Sequence, residues 1–326
     1  MMHPLIENAY KVLRGEALSK EEALTLSREI NGGDLLDLLS LAHKVQQKYA
    51  PGVHSCSIIN AKSGKCSEDC RFCAQSGCHS TDIATYPLLS PQEALAAARK
   101  VYDAGIRTFG YVTSGRGWQR PDHDFMTILE TLDLIHAELP DMYLCVSLGI
   151  LSEECVRLLS AHHARRYNMN LQTAPAAYSS LVASSHAVEE KIETIRLMKK
   201  YGIANCTGGI FGLGESWKER IDLAFAVREL NVEGAPLNIL LAIPGTPLEG
   251  QKPLAPAEAA KSFALFRLIN PMKMLKFCAG RETVMKDFQG LLMLSGLNGL
   301  MTGGYLTTRG RDIAADQEFS RQLSDF

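Results

Sequence analysis

Apolar, β-branched stretches recur along the chain at 53–60, 106–113, 142–149, 165–171, 203–211, 235–243, 272–279 and 296–303. Amphipathic stretches of helical period fill most of the gaps, at 91–104, 124–137, 152–163, 188–201, 216–230 and 256–269. Their ends carry matching chemistry. Ser90 before Pro91, Ser152 with Glu154 and Ser216 with Glu219 read as N-terminal caps, while Gly105 and Gly202 end helices ahead of strands. Two further helical stretches, 4–15 and 19–49, precede the first strand. Strands that alternate with helices predict a parallel sheet, because parallel neighbours need a crossover connection, and eight is the number that closes a barrel. The pattern predicts a (β/α)8 barrel, with an open doubly wound sheet as the other architecture. It divides the chain into a helical extension (1–49), the barrel (50–310) and a tail (311–326).

Composition narrows the function classes. Hydrophobic residues make up 46% and charged residues 21%, which excludes a disordered, collagen-like or coiled-coil chain. Net charge is −2 from 34 basic and 36 acidic residues, and no basic block stands out, so nothing supports a nucleic-acid partner. The longest clean apolar run, 237–243, is interrupted by Asn238 and is far too short for a bilayer. No secretory apolar region opens the chain, and the expectation is a cytoplasmic protein. Nine cysteines in such a chain argue against a disulfide framework and toward metal or redox chemistry.

Cys66, Cys70 and Cys73 follow the first strand with the spacing C-x3-C-x2-C, at the strand end where barrel enzymes place their chemistry. Three thiolates on a short loop can hold three irons of a cubane cluster and leave the fourth iron open. Plain packing on a helix face is the bland reading, but Lys65, Glu68, Asp69 and Arg71 would make a poor core helix. A zinc site would need a fourth ligand, from Cys78 or His79. On the fourth strand Asn168, Asn170 and Gln172 alternate and so share one face. A row of inward amides needs hydrogen-bond partners, from a ligand or from a polar layer at the barrel mouth. Cys145, Cys206 and Cys278 fall on strands three, five and seven, and odd strands feed common interior layers. Each alone is as readily a small buried hydrophobe. Cys155 reads as helix core, Cys56 on strand one is ambiguous, and His162 and His163 are expected to point apart on a helix. Arg281 and Glu282 fit either an interior site or a barrel ion pair.

The string at 66–76, Cys-Ser-Glu-Asp-Cys-Arg-Phe-Cys-Ala-Gln-Ser, resembles the cluster motif of the radical S-adenosylmethionine enzymes, and of the biotin synthase family among them. Stretches 167–171, 208–215, 244–248 and 279–282 resemble the same family, so the likeness spans the whole predicted barrel. The resemblance implies a [4Fe–4S] cluster on Cys66, Cys70 and Cys73, with S-adenosylmethionine on its open iron. Cleavage would give a 5′-deoxyadenosyl radical that removes hydrogens from dethiobiotin, and an auxiliary iron–sulfur cluster on Cys145, Cys206 and Cys278 would donate the sulfur. It places Phe72 beside the adenine, and Thr113 and Ser114 at the cofactor's amino group. Asn170, Gln172 and Ile210 fall near its nucleoside. Asn168, Asn170 and Asn238 fall at the ureido ring of dethiobiotin, and Thr307 and Thr308 at its carboxylate. A flavodoxin or ferredoxin as electron donor and a homodimer are also implied.

The chain departs from the family pattern at Gln172, commonly an aspartate there, and twice more at the auxiliary site. Gly110 stands where strand two usually carries a cysteine, and Lys276 where strand seven usually carries an arginine, with Cys278 on the same face two residues on. Both departures point to an altered auxiliary cluster. Two other readings stand beside this one: a radical enzyme of the same barrel family, of mutase or metallocofactor-maturation type, and a non-catalytic iron–sulfur carrier.

Overall fold

A computed structural model describes residues 2–308 and 310–326. Eight parallel strands close into a barrel: β1 (His54–Lys62), β2 (Thr108–Thr113), β3 (Tyr143–Ser147), β4 (Arg166–Asn168), β5 (Ala204–Cys206), β6 (Gly234–Ile239), β7 (Met274–Phe277) and β8 (Gly299–Met301). Each pairs with the next, and β8 returns to β1 through His54↔Gly299 and Cys56↔Met301. The open sheet is thereby excluded. Period-two alternation explains the two layers. Phe109, Tyr111, Leu144, Leu275 and Phe277 are buried in the shell against the helices, while Gly110, Cys145 and Lys276 beside them line the interior cavity.

The predicted helices form because their ends are capped and one stripe is apolar. Ser90 and Ser216 each sit in a reciprocal capping box, with Glu93 and Glu219, and open helices Pro91–Asp103 and Trp217–Leu230. Three expectations about element ends fail. The 19–49 stretch is two helices, Lys20–Glu29 and Asp34–Tyr49, because the Gly32–Gly33 pair has little helix propensity. The predicted fourth strand ends at Asn168, so Asn170 and Gln172 lie in the loop beyond it, with Gln172 at φ 72°. The fifth strand breaks after Cys206 and resumes as Gly209–Phe211, which pairs with β6.

His162 and His163 are also not a splayed helical pair. The helix stops at Ala161 and His163 takes φ 63°, so both rings turn to Asp133, at 2.8 and 3.8 Å. Arg281 resolves to the structural alternative. It is fully buried and pairs at 2.8 Å with the equally buried Asp316 of the last helix, Ile313–Leu323, and with Glu282. Replacing Arg281 by methionine is expected to cost about 3–5 kcal/mol, because it strands a buried carboxylate. A denaturant midpoint that moves by less than the equivalent of about 1 kcal/mol would contradict that placement. Among the described residues no helix is long and apolar enough to cross a membrane.

Candidate active site

The loop after β1 is folded by its own backbone and by buried polar side chains. Gly64 and Lys65 both take positive φ and turn the chain, after which the Cys66 N–H donates to Gln75 O at 3.1 Å and the Gly77 N–H to Cys66 O at 2.7 Å. Gln75 Oε1 accepts from the Gly64 N–H, and Ser114 Oγ donates to Gly64 O at 2.8 Å. Glu68 ties the loop to the far wall, bonding His186 Nδ1 at 2.7 Å, whose Nε2 meets Tyr178 OH at 2.7 Å. Asp69 accepts from the Ser184 hydroxyl and from the Ser184 and Ser185 N–H groups, which together hold its carboxyl well below the usual range. Cys66, Cys70 and Cys73 thus face one cavity of about 430 Å³ that fills the barrel from its carboxyl end. Burial pushes the Cys70 thiol up to about 12 and raises Cys66 and Cys73 as well, so thiolates here require a cationic group among them.

A second set of sulfurs lines the same cavity deeper down. Cys145 on β3, Cys206 on β5 and Cys278 just past β7 are joined by Cys56 on β1, so all four odd strands contribute one cysteine. Lys276 Nζ lies 3.6 Å from Cys56 Sγ and is raised by its proximity to all four thiols. Cys56 is the residue that sequence reasoning left undecided, and the odd-strand rule applied to strand one would have found it. The space argument for Gly110 is direct. A Cβ there would meet Ile58 Cγ2 at 2.8 Å, so the β2 position is filled by its neighbour and the sulfurs gather on β1 and β7 instead.

The expected ligand-contacting groups converge on this cavity. Phe72, Thr113, Ser114, Asn168, Asn170, Gln172, Ile210, Asn238, Thr307 and Thr308 all line it. Thr113 Oγ1 and Gln172 Oε1 are buried with no partner, which marks hydrogen-bonding capacity left for a ligand. Asn170 Oδ1 accepts from the Gly208 N–H. Asn238 donates to Gly209 O and accepts from the Ala279 N–H, each at 3.0 Å, so half of its amide capacity stays free. Lys191 was not foreseen: its buried ammonium donates to Asn170 O at 3.1 Å and lies near Cys70 and Cys73. Only its position one helical turn past Val188 could have suggested it.

The donor set discriminates between metals. A zinc ion draws thiolates to about 2.3 Å of one point. Among the described residues no three His, Cys, Asp or Glu side chains gather about a single-ion position. Cys78 is exposed, and His79 Nε2 is engaged with Cys70 O at 3.0 Å, so neither completes a zinc site. Thiols spread around a shared cavity, half-buried in the upper set and mostly buried in the lower, fit a polynuclear iron–sulfur group at both levels.

Comparison with known proteins agrees. Residues 61–227 match the radical S-adenosylmethionine superfamily and residues 236–323 the biotin and thiamin synthesis associated domain. A biotin synthase of Pelodictyon phaeoclathratiforme is 51% identical across 100% of this chain and 98% of its own length. One from Chlorobium phaeobacteroides is 52% identical across 100% and 97%. In fold, the chain is similar to a methylornithine synthase (TM-score 0.84, 18% identity, 97% and 95% coverage). It is also similar to the FeFe-hydrogenase maturase HydG from Carboxydothermus hydrogenoformans (TM-score 0.81, 16% identity, 98% and 78% coverage).

Proposed function

The chain belongs to the biotin synthase family of the radical S-adenosylmethionine superfamily, and on that premise we propose how its own residues carry out sulfur insertion into dethiobiotin. The observation that carries the reading is that both sets of thiols open on one cavity, so a radical made at the upper set and a sulfur donor at the lower set can reach one substrate. When bound, a [4Fe–4S] cluster with S-adenosylmethionine supplies the 5′-deoxyadenosyl radical that removes hydrogen from saturated carbons, and an auxiliary iron–sulfur cluster supplies the sulfur.

Cys66, Cys70 and Cys73 would hold the first cluster, with one iron left open for the cofactor's amino and carboxylate groups. Lys191 would meet the cofactor carboxylate, since a cation already desolvated in the wall loses little on pairing. Thr113 and Ser114 would orient the amino group and Phe72 the adenine. Gln172 and Ile210 would border the nucleoside, and the amide of Asn170 would orient it. Asn168, Asn170 and Asn238 can satisfy both the N–H donors and the carbonyl of a urea-like ring, while Thr307 and Thr308 would receive the substrate carboxylate. Cys145, Cys206 and Cys278, with Cys56, would hold the auxiliary cluster. The cavity wall is largely apolar, and once cofactor and substrate fill it little room would remain for water that could quench a carbon radical.

Replacing Lys191 by methionine is expected to weaken S-adenosylmethionine binding roughly 30-fold, or about 2 kcal/mol, with iron content unchanged. Equilibrium dialysis giving wild-type affinity would remove the residue from this role. We further place the reaction in the cytoplasm, with a flavodoxin or ferredoxin as electron donor and the chain acting as a homodimer, all on the strength of the family resemblance. The test of the reading is an anaerobic assay with reductant, S-adenosylmethionine and dethiobiotin that follows deoxyadenosine and biotin together. Deoxyadenosine without biotin would favour the mutase or maturation alternative, and neither product would favour the carrier.

A further inference from the structure

The barrel has a second opening. A cavity of about 540 Å³ lies at the amino-terminal ends of the strands, opposite the face that receives cofactor and substrate. Four residues, Cys56, Thr108, Arg166 and Lys276, line both this cavity and the upper one, so they form the partition between them. The lower cavity therefore ends at the auxiliary-site sulfurs.

Its chemistry is that of an anion path. Arg166 sits beside Cys145 in register across β3 and β4, and its Nε is buried with no hydrogen-bond partner. Its guanidinium stacks 4.8 Å from the Tyr143 ring. The second cation of the partition is Lys276, whose Nζ lies 3.6 Å from Cys56 Sγ. Its stem enters the partition only because the facing residue is Gly299, where a Cβ would meet Lys276 Cγ at 2.5 Å. The one carboxylate at the rim, Asp141, is taken up by Arg107 at 3.3 Å and by Tyr102 OH at 2.7 Å. Two cations thus border a passage that ends at sulfur, and their charge favours entry of an anion over a neutral or cationic solute.

We propose that this lower cavity is a port through which hydrosulfide reaches the auxiliary cluster site, so that the sulfur donor is replenished from the face opposite the substrate. The proposal rests on the function assigned above, which consumes a sulfide in each turnover. Replenishment is a ligand exchange: an iron–sulfur bond forms to the incoming HS⁻ as the iron–oxygen bond to a solvent water at the vacated iron position breaks, the water and the proton of HS⁻ leave to solvent through the same opening, and no electron moves. Arg166 and Lys276 offset the charge of the anion as its hydration is lost. A separate port also means that bound cofactor and substrate do not block the supply.

The test uses the anaerobic holoenzyme after one turnover, supplied with ferrous iron and radiolabelled hydrosulfide while S-adenosylmethionine and dethiobiotin occupy the upper face. Label in the protein and the Mössbauer signature of the auxiliary cluster are followed over time. The exposed His54→Glu places a negative charge at the mouth of the passage, away from the upper cavity. This variant is expected to give the wild-type yield of biotin in the first turnover and to regain label at least about tenfold more slowly. Equal reloading rates in wild type and His54→Glu would overturn the port, as would wild-type reloading that stops when the upper face is occupied. Wild-type protein that forms no biotin in the first turnover would instead remove the reading on which the port rests.

Discussion

Exchange of Cys70 for alanine will abolish deoxyadenosine formation, by at least about a thousandfold or some 4 kcal/mol of barrier, while leaving the fold intact. Cys70 is the middle of the three upper thiols in sequence. It lies on the loop braced by the Glu68–His186–Tyr178 chain, close to Lys191, and burial holds its thiol up to about 12. Losing one of three ligands removes the cluster, and nothing else in the wall can replace a thiolate: Cys78 is exposed and directed at Ser67 O at 3.8 Å. Two controls separate ligation from packing. Cys78→Ser should keep full activity, and the fully buried Cys155→Ala should lose stability, not chemistry. Anaerobic iron counts with product analysis read all three. A Cys70→Ala protein that still cleaves S-adenosylmethionine would contradict the assignment of the upper site.

Removal of a deep sulfur should have a different signature. Cys278→Ala, and likewise Cys56→Ala, is expected to lower biotin formation by about a hundredfold or more (about 3 kcal/mol) while deoxyadenosine continues to appear. The upper loop is built from separate residues and does not depend on these thiols, so radical generation persists without a sulfur acceptor step. Mössbauer spectra should lose the auxiliary component and retain the first. Retention of an unchanged second cluster in Cys278→Ala would refute its assignment to that site, and loss of both products together would mean that the two sites are not separable.

The sequence made the barrel legible because each strand alternates a shell residue with an interior one, as Phe109–Gly110–Tyr111 and Leu275–Lys276–Phe277 do, and because serine caps mark where helices begin. The upper thiols stood out by their spacing, because three sulfurs that line one cavity come from one short loop. What stayed hidden depends on tertiary contacts. Cys56 is a lone thiol among small residues, and only closure of β8 onto β1 brings it against Lys276. Lys191 looks like one more helix-surface cation, and its burial follows from the packing of its helix behind the cluster loop. The amide row was placed correctly on the cavity wall, yet the strand beneath it ends at Asn168 because Gln172 turns through positive φ. The absent cysteine on strand two was visible in sequence, but its cause, the close approach of Ile58, was not.

The most direct test of two sulfur-bound sites sharing one substrate is a single anaerobic turnover of protein whose auxiliary site has been rebuilt with heavy-isotope sulfide, in unlabelled medium, read by mass spectrometry of the product. The account predicts biotin carrying the heavy sulfur, with one deoxyadenosine for each of the two C–H bonds broken. Biotin bearing only light sulfur, or deoxyadenosine with no biotin from fully loaded protein, would contradict it.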